Sequence, residues 1–137
     1  MMAELQWVIE VRCINALLAE VKVGEKGEYV IVNIPNRNFY PSELERLIKA
    51  FEIAEKTNNE NRLTYELPKI EGNYGDLEDY VEIVEKRGLA RIRILSDGEQ
   101  VNIDVPERTF SPTEAHGLMV ELKKVQHTMT KLRKTNL

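Results

Sequence analysis

Apolar and polar residues alternate along five stretches of this chain, and twice the pattern switches to a helical period. Trp7, Ile9, Val11 and Cys13 occupy every second position, as a strand with one buried face requires. Val21 and Val23 alternate with Glu20 and Lys22, and Ile92 and Ile94 with Arg91 and Arg93. Turn residues follow each of these, Gly24 to Gly27 and Ser96 to Gly98, the second carrying an Asp-Gly hairpin signature. Val30, Val32 and Ile34, like Val101, Ile103 and Val105, resume the two-residue period until Pro35 and Pro106. Proline cannot donate to a strand ladder, so both strands are expected to end there. Leu44, Leu47, Phe51 and Ala54 then recur at intervals of three and four, predicting a helix that stops at Asn58. Ala115, Leu118, Leu122, Val125, Met129 and Leu132 keep that spacing for about two turns more.

The two halves of this pattern are the same pattern. Shifted by 71 positions, residues 18–57 fall on 89–128 without a gap, and twelve of the 40 positions are identical. These include Gly27/Gly98, Pro35/Pro106, Arg37/Arg108, Phe39/Phe110, Pro41/Pro112 and Glu43/Glu114. A repeat of this length signals one folding unit used twice. The expected fold is therefore α+β, a tandem strand–strand–helix module, with three strands per copy if a strand precedes each. An antiparallel sheet would carry its helices on one side, within a single domain of 137 residues.

Local chemistry explains much of what is repeated. Ser111-Pro112-Thr113-Glu114 is a capping box with proline at the first helical position. Tyr40 stands at the equivalent place in the first copy, so that helix should start less sharply. Phe39 and Phe110 can staple onto Leu44 and Ala115. Between the copies, 58–62 reads as a polar loop, Leu63 to Leu67 as a short strand and 68–75 as an exposed connection. Residues 76–87 fit either a helix or a strand.

Composition excludes several classes. A single cysteine, Cys13, forms no internal disulfide, no leader-like basic cluster opens the chain, and no apolar run approaches a bilayer span. A cytoplasmic protein without membrane association is the expectation. The net charge of −4 argues against a general nucleic-acid binder. Yet residues 43–85 hold twelve acids and five bases, whereas 122–137 hold five bases and no acid. Phosphate loops, nucleophile elbows and dinucleotide fingerprints are missing. His116 and His127 are too far apart along one helix, about 16 Å, to share a metal. No enzyme, metal or cofactor is expected.

Four surfaces remain as binding candidates. Arg37 and Arg108 precede helix N-termini, where a cation is disfavoured unless it pairs with Glu43 or Glu114 or attracts an anion. The outward sheet face should show Lys22, Tyr29, Ile31, Arg91, Arg93 and Asn102. Glu78, Asp79, Glu82 and Glu85 form an acidic surface suited to a basic groove. Val125, Met129 and Leu132, the last two without a counterpart in the duplicated core, should pack on a second subunit as a homo-oligomer interface.

Lys26-Gly27, Pro41-Ser42-Glu43 and Leu47, with Pro112-Thr113-Glu114, Leu118 and Lys123, follow strands in an order that resembles the positive-cofactor-four and Whirly proteins. That resemblance implies a single-stranded-DNA-binding fold carrying its strand–helix unit twice. From the residues themselves the favoured reading is a non-enzymatic oligomeric binding protein, with a protein partner preferred over nucleic acid. A phage or mobile-element accessory protein that captures or inhibits a host defence factor fits that profile. The alternatives are a single-stranded nucleic-acid binder and a protein that sequesters a small nucleotide between subunits.

Overall fold

The computed structural model describes residues 5–13, 16–67 and 90–135. Their order is β1 (Leu5–Cys13), β2 (Ala16–Gly24), β3 (Val30–Phe39), α1 (Pro41–Thr64), β4 (Arg91–Leu95), β5 (Gln100–Phe110) and α2 (Pro112–Thr135). The strands form one antiparallel sheet in the order β1-β2-β3-β5-β4. Alternation does what it predicts. Val21, Val23, Val30, Val32, Ile34, Val101, Ile103 and Val105 are buried, in one core with Leu44, Leu47, Phe51, Leu118 and Leu122. Both helices thus cover one face of the sheet, an α+β architecture.

The prolines do not end the strands. β3 and β5 run through Pro35 and Pro106 to Phe39 and Phe110, with register irregularities on either side of the Ile34–Val105 pair. An extra residue at a bulge removes the ladder bond that proline could not donate, so the strand bends and continues. The central register is its own image under the 71-residue shift. Val30 lies opposite Phe110 and Phe39 opposite Val101, while Ile34 meets its own equivalent, Val105.

The helices depart further from expectation. α1 continues past Asn58 to Thr64, so 58–62 is helix rather than loop. The anticipated strand at 63–67 is the end of that helix and a turn. Asn58 looked like a stop because it is polar at a core position; it is in fact 1% exposed. Long-range bonds hold this last part of α1 in place. Asn61 donates to the Gly24 carbonyl at 3.1 Å, and Arg62 to that of Gly27 at 3.1 Å. The bond recurs 71 residues further on, Arg133 donating to the Gly98 carbonyl at 2.7 Å.

Each helix has 24 residues, so the second is not longer than the first. Its seam is also not free. Met129 is 1% and Val125 8% exposed within this chain, and the Leu132 side chain is half-buried against Gly98. Of the three residues expected at a subunit interface, Val125 and Met129 belong to the chain's own core, and Leu132 keeps an open side.

At the starts, α2 has its full capping box, Ser111 N–H to Glu114 Oε1 at 3.0 Å and Glu114 N–H to Ser111 Oγ at 3.1 Å. α1 keeps only the glutamate half, Tyr40 N–H to Glu43 Oε1 at 2.8 Å, because a phenol cannot reach back as a serine hydroxyl does.

Where the helices meet, Glu52 and Lys123 pair at 3.1 Å. These residues are 71 apart, so each copy opposes its own equivalent position. Either copy paired with itself would set glutamate against glutamate or lysine against lysine. Both side chains are nearly half exposed, so the pair contributes at most about 1 kcal/mol. Lys123→Glu should therefore lower stability by roughly 0.5–1 kcal/mol in thermal unfolding. The exchange Glu52→Lys/Lys123→Glu should restore it; failure to restore would mean that the charges do not communicate.

Candidate functional site

Both helices lie on one side, and among the described residues no element covers the opposite sheet face. Register decides what it shows. Lys22 lies beside Ile31 and Ile31 beside Thr109. Asn38 lies beside Asn102 and Asn102 beside Arg93; Arg91 neighbours Asp104. The centre of this surface is a cluster of amides. Asn102 Nδ2 donates to Asn36 Oδ1 at 2.9 Å and to Asn38 Oδ1 at 3.0 Å. Such bonds fix the three side chains relative to one another and leave each amide with further hydrogen-bonding capacity.

Charge on this face is unevenly spent. Lys22 pairs with Glu20 at 3.5 Å, whereas Arg91 and Arg93 are exposed and form no ion pair among the described residues. Ile31 is only half-buried, as a one-sided sheet leaves it. Tyr29 is placed differently from expectation. It precedes β3, and its ring lies over Gly24, whose added Cβ would come within 2.9 Å of it. Sequence reading named Lys22, Ile31, Arg91, Arg93 and Asn102 but missed Asn36 and Asn38. Their signal was present: asparagine is unfavourable in strands, and its recurrence at 33, 36, 38 and 102 needed a reason.

The paired arginines are not helix-start residues. Since β3 and β5 run through their prolines, Arg37 and Arg108 sit on strands, each stacked over the phenylalanine two residues on. The guanidinium-to-ring distances are 6.0 Å for Arg37–Phe39 and 5.6 Å for Arg108–Phe110. Arg37 also reaches the Leu17 carbonyl at 3.5 Å. Glu43, the partner expected of Arg37, accepts instead from Tyr40. The arginines are not brought together either. Arg108 stands opposite Val32 and Arg37 opposite Ile103, roughly 17 Å apart along β3.

Two further polar groups lie among the helices. His116 Nδ1 and Glu55 Oε1 are 2.5 Å apart and join α2 to α1. The buried Asn58 lines a hole of about 10 Å³ beside them. At the far end of α1, Tyr65 donates its hydroxyl to Glu25 at 3.0 Å. That bond, reinforced by slight burial and by the charges of Glu25 and Glu28, raises the phenol above its ordinary pKa. It ties the first turn to the helix end.

The acidic candidates Glu78, Asp79, Glu82 and Glu85, and the open choice at 76–87, lie outside the described residues. Among the described residues no helix is long and apolar enough to cross a membrane. Comparison of the chain with protein-family models, curated proteins and solved structures finds no match.

Proposed function

We propose that this is a non-enzymatic binding protein whose partner, another protein, docks on the sheet face opposite the helices. The observation that carries the reading is the hydrogen-bonded Asn36–Asn38–Asn102 cluster flanked by the exposed Arg91 and Arg93. Protein interfaces combine directed hydrogen bonds with arginine anchors. A phosphate-tracking groove would want denser positive charge than a face holding Glu20 and Asp104 as well. A second copy is the less favoured partner, because Val125 and Met129, two of the three residues that suggested it, are buried within this chain. A host factor seized by a phage or mobile-element accessory protein is the partner class to test first.

The test is capture from nuclease-treated host lysate with the wild type and with Arg91→Glu/Arg93→Glu. Both substitutions are on exposed positions, so folding should be unchanged by circular dichroism. A protein retained by the wild type should be lost with the variant; equal retention rejects this face. The same two arginines favour a second reading, single-stranded nucleic-acid binding, in line with the Whirly-like order of elements. That reading requires oligonucleotide affinity that falls steeply with salt, and no binding at low salt removes it.

A further inference from the structure

The helix layer has two ends related by the 71-residue shift, and they differ. At one, His116 on α2 bonds Glu55 on α1 and leaves a hole of about 10 Å³. The equivalent positions at the other end are Glu45 and Gln126. Glu45 turns to Lys49 on its own helix at 3.7 Å, and the space between the helices is an open cleft of about 480 Å³. Ser42, Lys123, Gln126, His127, Thr130 and Arg133 line it, with Glu45 as its acid.

Its arginine is held in place with charge to spare. Arg133 bonds two neutral acceptors, the Gly98 carbonyl at 2.7 Å and Thr130 Oγ1 at 3.4 Å, so its charge is not cancelled. Lys123 is anchored by Glu52, which is outside the lining, and His127 is exposed on the same side of α2. Hydroxyls of Ser42 and Thr130 and the amide of Gln126 add hydrogen-bonding groups. The start of α1 contributes the positive end of its dipole.

We infer that this cleft binds a phosphate monoester of a small organic molecule. The phosphate sits between Arg133, His127 and the Ser42 hydroxyl, and the organic part fills the remaining volume. Clefts of about 300–1,000 Å³ are of the size that takes small molecules. The site lies among the helices, on the other side of the sheet from the face proposed above, and does not depend on that reading.

Titrating the full-length protein with adenosine 5′-monophosphate at low ionic strength, followed by amide NMR, tests it. Shifts should be confined to residues 41–45 and 123–133, and adenosine should cause none there. His127→Glu, on an exposed side chain, should weaken binding at least about tenfold with the fold unchanged. Gln126→Glu, which puts at this end the carboxylate found at the closed one, should do the same. Arg133 is left intact because it holds the Gly98 turn. The inference is overturned by no shifts at millimolar ligand, by equal shifts with adenosine, by shifts centred on 91–104, or by undiminished affinity in both variants.

Discussion

Truncating Phe39 or Phe110 to alanine is expected to lower the unfolding free energy by about 3–5 kcal/mol, and by nearly the same amount at each. Both rings are fully buried. Each ends a central strand, stands opposite a valine near the start of the other, and carries an arginine over its face. Removing the ring forfeits its transfer free energy and leaves a cavity between sheet and helix that a bulged strand cannot collapse to fill. A domain of this size has only about 5–15 kcal/mol in total, so either variant should be marginal at physiological temperature. Urea unfolding measures the loss. Costs differing by more than about 1.5 kcal/mol would mean that the two ends of the core are not packed alike.

Alanine at Gly27 or Gly98 should cost about 2–4 kcal/mol, for a backbone reason. Both glycines are left-handed, with φ of +70° and +93°. An added Cβ would lie 2.4 Å from the Asn58 carbonyl oxygen at Gly27 and 2.6 Å from that of Met129 at Gly98. Those oxygens belong to helix backbone and cannot swing aside. Moving the turn instead would pull the Gly27 and Gly98 carbonyls from Arg62 and Arg133. Gly24 provides the contrast. Its added Cβ would meet the Tyr29 ring at 2.9 Å, and a side chain can yield. Gly24→Ala should therefore cost less than half as much in the same denaturation experiment, and equal costs would refute the backbone argument.

These glycines show how much of the fold was legible. Gly27 and Gly98 stood out as identical turn residues, and the turns are where the sequence put them. What demanded glycine was not the turn alone but a helix end packed onto it, contributed by residues more than thirty positions away. The same distance hid Arg62 and Arg133. They lie 71 apart and beyond the aligned segments, Arg62 in a stretch whose asparagines looked like a loop. Asn58 is polar and buried, so hydrophobic periodicity ended the helix where tertiary bonds carry it on for almost two turns more.

The candidate site divided along similar lines. Period-two alternation put Lys22, Ile31, Arg91, Arg93 and Asn102 on the outer face, because strand geometry leaves no other choice once the inner face is known. It could not put Asn102 beside Asn36 and Asn38, since that depends on the pairing of β3 with β5 and on two bulges at proline. The cleft at 42–45 and 123–133 was invisible for the same reason, as it forms only where two helices cross.

The shift of 71 residues was legible by itself, together with the starts of the strands, the turns, the helix starts and the face that β2, β3 and β5 bury. All of these follow from interactions within a few residues. Only the tertiary structure decided that both helices are equally long, that Met129 belongs to this chain's own core, and that Arg37 and Arg108 stack on rings far from one another. Each of those outcomes depends on which distant residues pack together, and local pattern carries no term for that.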